Sequence, residues 1–169
     1  MADTVTLKGN AVYLNGPVLN VGDYAPEAIV VLKDLKEKQI GGKKEKPQLI
    51  ITVPSLDTAV CEMETKKFNE MLAKYTAIDI NVVSMDLPFA QARFCESYGI
   101  ANITTASDFR YKDMEKFGVL IGEGALKSLT ARSVFIIDRE GNIVYKQLVS
   151  EITNEPDYQS VLKALDALK

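Results

Sequence analysis

Short apolar runs bounded by turn-forming residues set the pattern of the first half of the chain. The run Gln48–Val53 is rich in β-branched residues and lies between two prolines, which predicts a buried strand. Downstream, apolar residues recur at i, i+3, i+4 and i+7, a spacing typical of an amphipathic helix. These residues are Phe68, Met71, Leu72 and Tyr75. The pattern therefore predicts a strand that leads through a short connection into a helix.

Two β-hairpins are predicted, one near each end of the chain. In the first, alternating residues surround Gly9-Asn10, a dipeptide that favours a two-residue turn. In the second, two apolar runs flank the polar segment 138–142. The paired runs are Val5–Lys8 with Ala11–Leu14, and Ser133–Ile137 with Ile143–Val149.

The remaining elements complete an α/β pattern. The further predicted strands are Ala28–Leu32, Ile78–Met85 and Asn102–Ala106, and the further predicted helices are 88–98, 112–117 and one that begins near Pro156. The charged stretch Lys33–Lys46 contains two glycines but lacks the spacing of a phosphate-binding loop, so it is predicted as a solvated turn. This succession predicts one domain over residues 1–169, with a mixed central β-sheet and helices on both faces. The thioredoxin-like fold is one such arrangement.

Composition limits the possible partners. The chain has 169 residues, of which 47% are hydrophobic and 25% are charged, as in a soluble globular domain. The net charge of −3 gives no reason to expect nucleic acid or an anionic membrane as partner. No apolar run approaches membrane-spanning length, and the first residues lack the features of a secretion signal. We therefore expect a cytoplasmic protein.

The chain contains no histidine and only two cysteines, Cys61 and Cys95. The lack of histidine excludes Ser-His-Asp and Cys-His catalysis, and also histidine-ligated metal or haem. Two cysteines cannot form a four-thiolate metal site, and they are not spaced as a CxxC redox pair. We therefore expect no metal and no cofactor. The chemistry that remains is that of a cysteine thiolate stabilised by electrostatics.

Cys61 lies in or just before the first turn of the predicted helix. At that position the unpaired backbone N–H groups and the positive end of the helix dipole stabilise a thiolate. Thr58, three residues earlier, can cap the helix or donate a hydrogen bond to the sulfur. A helix end contributes only about 0.3–1 kcal/mol, so a reactive thiolate also needs a cation. The alternative is that Cys61 is a small buried thiol at a strand–helix junction.

The segment from Pro54 to Cys61 resembles the active-site motif PxxxTxxC of the peroxiredoxins. The run that continues to Glu70 is similar to the thiol peroxidase subfamily, whose members use two cysteines within one chain. Other similar segments are Asp86–Cys95, Ser107–Arg110, Ala131–Ser133 and Glu151–Tyr158, so the resemblance covers nearly the whole chain. The sequence departs from the subfamily at Ala59, at Thr130 and over residues 112–115.

The resemblance implies a role for each candidate site residue. Cys61 would attack a hydroperoxide, either hydrogen peroxide or an organic one, and become a sulfenic acid. Arg132 would stabilise the thiolate and bind the peroxide oxygens, Thr58 would orient the sulfur and the peroxide, and Pro54 would shield the thiolate from water. Cys95 would form a disulfide with Cys61, which thioredoxin would reduce. The resemblance also implies a homodimer.

Two other functions remain open from the sequence. The same two cysteines could form a redox sensor without enzymatic turnover, in which the disulfide switches a partner interaction. An exported binding domain with a structural disulfide is a third possibility, but Thr58 and Arg132 would then have no evident purpose. The roles of Arg93 and Arg110 are also open, because each can be a solvated charge or a group near the site.

Overall fold

The computed structural model describes residues 3–168, which form a seven-stranded mixed sheet, a three-stranded sheet and four helices. The strands are β1 (Thr4–Leu7), β2 (Asn10–Asn15), β3 (Ala28–Leu32), β4 (Glu37–Ile40), β5 (Gln48–Thr52), β6 (Asp79–Ser84), β7 (Thr104–Ser107), β8 (Leu120–Ile121), β9 (Ser133–Ile137) and β10 (Ile143–Leu148). The helices are α1 (Ala59–Met71), α2 (Pro88–Tyr98), a 3-10 helix (Asp113–Phe117) and α3 (Tyr158–Asp166). No helix in this part of the chain is long and apolar enough to cross a membrane.

The central sheet has the strand order β10-β9-β5-β6-β7-β3-β4. Strands β5, β6 and β7 are parallel, and the other neighbouring pairs are antiparallel. The crossovers through α1 and α2 step in the same direction along the sheet. Because such crossovers are almost always right-handed, both helices are expected on the same face. This topology brings the two cysteine-bearing helices to one side of the sheet.

The core is divided by the sheet into two layers. On one face, Leu49 and Ile51 of β5 belong to a cluster with Phe68 of α1, Phe94 of α2 and Val161 of α3. Ile50 lies between Leu49 and Ile51 on β5. Its side chain therefore points to the other face, as the two-residue period of a strand requires. All three α-helices therefore cover one face of the central sheet.

The second face is covered by the three-stranded sheet β1-β2-β8 and the 3-10 helix. Val5 and Leu14 of the N-terminal hairpin and Met114 of the 3-10 helix belong to this core layer. Phe117 and Phe135 pack edge to face, with their ring centroids 5.4 Å apart. The sequence predicts helices on both faces of the central sheet. Among the described residues, the helix on this second face is the short 3-10 helix.

Most predicted elements are present, with two differences. The N-terminal hairpin turns at Lys8-Gly9, because Leu7 pairs with Asn10, and both turn residues have positive φ angles of 50° and 83°. The prediction that Lys33–Lys46 is a solvated turn is wrong. Its middle forms the edge strand β4, and the following glycines are buried against the Gln48 side chain, which accepts a 2.8 Å hydrogen bond from the amide of Gly41. An edge strand tolerates charged residues because part of it faces water.

Candidate active site

The structure places Arg132 against Cys61 in a closed site. The Arg132 Nη1 atom lies 3.3 Å from the Cys61 sulfur, although 71 residues separate the two in the sequence. The exposed fraction is 0% for Cys61 and 2% for Arg132. The Arg132 guanidinium therefore donates a hydrogen bond to a sulfur that is closed off from solvent.

Helix α1 presents Cys61 in its first turn. Cys61 is the third residue of the helix, and the first intrahelical bond runs from the amide of Glu62 to the carbonyl of Thr58 over 2.9 Å. The Cys61 amide therefore belongs to the first turn, where backbone N–H groups have no intrahelical acceptor. The carbonyl of Cys61 accepts a 2.7 Å hydrogen bond from the Thr65 hydroxyl. The predicted position of Cys61 at a helix start is confirmed.

Hydrogen bonds at the end of β5 fix the backbone that carries Arg132. The Thr52 hydroxyl donates to the carbonyl of Ala131 over 2.7 Å, and the Thr130 hydroxyl donates to the carbonyl of Val53. The Arg132 Nε atom itself donates to the carbonyl of Ile152 over 3.0 Å. The first two bonds hold the backbone before Arg132, and the third holds the guanidinium itself, so that it stays buried beside the sulfur. They also give Thr130, where the subfamily usually has an aliphatic residue, a structural role.

Glu64 is a member of the site that sequence reasoning missed. Its Oε1 atom accepts a 2.7 Å hydrogen bond from the same Arg132 Nη1 that contacts Cys61, and its exposed fraction is 0%. Its Oε2 atom has no hydrogen-bond partner within residues 3–168. Burial raises the pKa of Glu64 to about 7, against the opposing effect of Arg132. A signal existed, since Glu64 lies at i+3 from Cys61 and thus on the buried face of the helix.

The side chain of Thr58 does not make the contact that the sequence predicts for it. Within the described part of the chain, Thr58 occupies the N-cap position by its backbone angles, but its side chain makes no capping hydrogen bond. The Thr58 hydroxyl instead donates to the carbonyl of Ser55 over 3.0 Å and lies in an exposed position. The predicted cap is therefore wrong, because the hydroxyl closes a local turn rather than reaching a helix amide or the sulfur. Pro54, by contrast, is buried beside Val53 as a shielding residue would be.

Cys95 has a different environment from Cys61. It lies in the last turn of α2 with an exposed fraction of 6%, and its sulfur is 3.4 Å from the Thr105 hydroxyl. Both cysteines are free thiols and belong to the same buried cluster. Cys95 also lines a cavity that opens beside Gly99 and Ile100. The two sulfurs thus lie on neighbouring packed helices.

Arg93 and Arg110 are both at the surface. Arg110 forms an ion pair with Glu37 at 2.8 Å, and the two side chains are about equally exposed. Arg93 is exposed and lines a cavity of about 410 Å³ between α2 and the segment that leads into α1. Among residues 3–168 there is no cluster of three potential metal ligands. The guanidinium that the structure brings to Cys61 is therefore that of Arg132.

A family model and close relatives match this chain over nearly its full length. The Redoxin family model matches residues 20–162. A thiol peroxidase from Aquifex aeolicus is 66% identical over 168 residues, which cover 99% of each chain. A thiol peroxidase from Campylobacter jejuni is 51% identical over 154 residues, covering 90% of this chain and 87% of the relative. The crystal structure of a peroxiredoxin-like protein from Aquifex aeolicus has a TM-score of 0.97, with 66% identity and coverage of 100% of this chain and 99% of the other.

These matches confirm the predicted α/β class and its thioredoxin-like fold. They also favour an enzyme over a redox sensor without turnover, since the similar proteins are peroxidases by name. The chain belongs to the redoxin family and, within it, to the thiol peroxidases, the enzymes that reduce peroxides with a thiol.

Proposed function

We propose that Cys61 is the nucleophile that attacks the peroxide, and that Arg132 is its cationic partner. The observation that supports this most strongly is the 3.3 Å contact between Arg132 Nη1 and the Cys61 sulfur inside a buried site. A thiolate is the nucleophilic form of cysteine, and a fixed cation beside it favours that form without movement of solvent.

The first chemical step breaks the O–O bond of the hydroperoxide. The Cys61 sulfur donates an electron pair to one oxygen and becomes a sulfenic acid, while the other oxygen leaves as water or an alcohol after it gains a proton. Arg132 stabilises the negative charge that moves from the sulfur to the leaving oxygen. Pro54 keeps water from the sulfur, and Thr58 acts by holding the turn that leads into α1. Hydrogen peroxide and organic hydroperoxides both fit this scheme.

The second step joins the two cysteines. The Cys95 thiol condenses with the Cys61 sulfenic acid, which forms a disulfide and releases water, and a thioredoxin-type dithiol then reduces the disulfide. A disulfide requires Cα atoms within about 7 Å of each other. Because the two sulfurs lie on separate packed helices, the first turn of α1 and part of α2 unwind before the bond forms. Hydrogen exchange should show both segments less protected in the oxidised protein than in the reduced one.

We further propose that the enzyme works in the cytoplasm as a homodimer and contributes to antioxidant defence. The dependence on a thioredoxin-type reductant is consistent with a reducing compartment. An exposed Phe89 and Leu87 at the start of α2 provide an apolar surface on which a second copy can pack.

Sustained turnover tests the proposal as a whole. Wild type and Cys95→Ser are given hydrogen peroxide with thioredoxin, its reductase and a reductant, and peroxide loss is followed over many equivalents. Wild type should turn over continuously, whereas Cys95→Ser should consume about one equivalent per chain and then stop. Continuous turnover by Cys95→Ser with thioredoxin would show that Cys95 is not the resolving residue. A single equivalent in wild type would favour the redox sensor.

A further inference from the structure

The carboxylate of Asp86 connects the two cysteine-bearing segments. Its Oδ1 atom accepts a 2.6 Å hydrogen bond from the Ser55 hydroxyl, and its Oδ2 atom accepts a 2.7 Å bond from the amide of Leu56. Ser55 and Leu56 belong to the entry loop, residues 53–58, which leads into α1. Asp86 itself lies two residues before the first residue of α2. One side chain therefore holds the start of both helices together.

The same carboxylate belongs to a network that reaches into α2. The Ser84 hydroxyl donates to Asp86 Oδ2 over 2.7 Å and accepts a 3.1 Å bond from the Gln91 side-chain amide. Gln91 is buried in α2 and also donates to the carbonyl of Ala106 over 2.8 Å. The network thus runs from the entry loop, through the end of β6, to the first turns of α2.

Apart from the burial of Pro88, the start of α2 has few local anchors among the residues that the structure describes. Its N-cap residue is Leu87, which makes no capping hydrogen bond, and Pro88 in the first turn has no N–H group to donate. Together with the burial of Pro88, the bonds of Asp86 and Gln91 attach this helix start to its surroundings. A motion that separates the entry loop from residues 84–91 as a unit must break the bonds from Ser55 and Leu56 to Asp86.

We propose that Asp86 is a positioning residue that holds the closed, peroxide-reactive conformation, and whose release lets Cys95 reach the Cys61 sulfenic acid. This inference rests on the proposed function, because it concerns the step that joins the two cysteines. The sulfenic acid has two fates. Condensation with Cys95 gives the disulfide and water, whereas attack on a second hydroperoxide gives a sulfinic acid and water or an alcohol. Asp86 sets the balance between them by setting how often the two helix starts separate.

A weaker network should therefore accelerate disulfide formation and leave the rate of peroxide attack nearly unchanged. The rate of disulfide formation scales with the small population of the open conformation, which one lost hydrogen bond raises about threefold to tenfold. The rate of peroxide attack scales with the closed population, which stays dominant and so changes by less than about twofold. A side chain that only supported the fold would slow attack and would not accelerate disulfide formation.

Asp86→Asn is the main test, since an amide keeps the shape but has one acceptor oxygen in place of two. Rapid mixing with one equivalent of hydrogen peroxide gives the rate of attack in the Cys95→Ser background and the rate of disulfide formation in the wild-type background. We expect disulfide formation about threefold to tenfold faster and attack nearly unchanged. With excess hydrogen peroxide and no reductant, less Cys61 sulfinic acid should accumulate than in wild type. The Leu56 amide should also exchange its hydrogen faster in the reduced protein.

Two further variants serve as a second test and as a control. Ser55→Ala removes the 2.6 Å bond to Asp86 and a 3.1 Å bond from the Asp57 amide within the entry loop, and it leaves the bonds from Leu56 and Ser84 to Asp86. It should show the same pattern with a smaller effect even if Asp86→Asn folds poorly. Asp138→Asn is the matched control, because Asp138 is equally half-buried and accepts backbone bonds from Glu140 and Asn142 in the β9–β10 turn, away from both cysteines. It should leave both rates unchanged.

The outcomes separate this inference from the proposed function. Both rates falling together in Asp86→Asn and Ser55→Ala, or neither rate changing, would overturn the positioning role. Failure of wild type to form any disulfide between Cys61 and Cys95 would overturn the proposed resolving step itself.

Discussion

The surroundings of the two cysteines differ in charge, although both sulfurs are buried in the same layer of the core. Cys61 lies in the first turn of α1 and has the Arg132 guanidinium at 3.3 Å. Cys95 lies in the last turn of α2 and has the Thr105 hydroxyl at 3.4 Å. A helix start favours negative charge and a helix end disfavours it, so the helix dipole acts in opposite senses at the two cysteines.

This difference indicates how one residue type can take two roles in one reaction. Cys61 has a cation beside it, and in the proposed reaction it attacks the peroxide. Cys95 has a hydroxyl in place of the cation, and in the proposed reaction it acts only after the sulfenic acid has formed.

The largest effect on peroxide attack is expected when the Cys61 sulfur is replaced by oxygen. Cys61→Ser should abolish peroxide reduction, because a hydroxyl without a base is far too weak a nucleophile. Cys95→Ser should retain the first attack at a rate close to wild type. Single-turnover peroxide consumption measures both variants. Comparable activity in Cys61→Ser and wild type would refute the assignment of the nucleophile.

Loss of the cation should be the next largest effect. Arg132→Met should slow peroxide attack by more than about tenfold, since a hydrogen bond to a charged group contributes about 1.5–3 kcal/mol. Arg132→Lys keeps the charge without the planar fork, so its rate should lie between those of Met and wild type. Stopped-flow measurement of single turnovers checks these rates.

Arg110→Met is the matched control for this prediction. Arg110 pairs with Glu37 at the surface, so its removal should leave the rate of attack unchanged. A near-normal rate in Arg132→Met would mean that another cation, such as Arg93, serves the site.

A pH-dependent difference in stability is expected from Glu64. Its pKa is raised to about 7 in the folded protein, mainly by burial, from an ordinary value of 4.5. Between these two pH values the folded chain keeps a proton that the unfolded chain has lost, so stability falls as the pH rises and levels off above about 7. The shift corresponds to about 3 kcal/mol, at ~1.4 kcal/mol for each pH unit.

Glu64→Gln isolates this contribution. The variant lacks the titrating carboxyl, so its free energy of unfolding should decline less than that of wild type from pH 4.5 to pH 7. Urea unfolding at a series of pH values measures both proteins. Parallel pH profiles in the two proteins would show that the Glu64 carboxyl titrates in its ordinary range when the protein is folded.

The smallest effect is expected at Cys95. Thr105→Val removes the hydroxyl near the sulfur with little change in shape, and a neutral hydrogen bond contributes about 0.5–1.5 kcal/mol at most. We expect a change of less than about tenfold in the rate of disulfide formation and no change in peroxide attack. Rapid-quench alkylation of the remaining thiols gives the first rate. A slower attack step would contradict the separation of the two environments.

Much of the fold could be predicted from hydrophobic spacing. The strand β5 and the helices α1 and α2 follow directly from local patterns, and Gly99 ends α2 in a left-handed conformation as its position suggested. The strand β4 could not be predicted because two of its four residues are charged and only one is apolar, and pairing with β3 makes it a strand. Tertiary pairing overrides local preference at such an edge.

The candidate site was predictable only in part. Cys61 could be located at a helix start from sequence alone, but Arg132 was connected to it by family resemblance, because no local pattern joins residues 71 positions apart. The partner of the Thr58 hydroxyl could not be predicted, since a turn carbonyl and a helix amide lie within equal reach. Glu64 and Asp86 were missed because charged residues near a helix start usually face water.

The most direct test of the two roles is to trap the oxidised sulfur and locate it by mass spectrometry. Cys61→Ser, Cys95→Ser and wild type each receive one equivalent of hydrogen peroxide in the presence of a reagent that labels sulfenic acids. We expect a label on Cys61 in Cys95→Ser, no label in Cys61→Ser, and a Cys61–Cys95 disulfide in wild type. A label on Cys95 in Cys61→Ser, formed as fast as the one on Cys61, would contradict the claim that Arg132 and the start of α1 select the nucleophile.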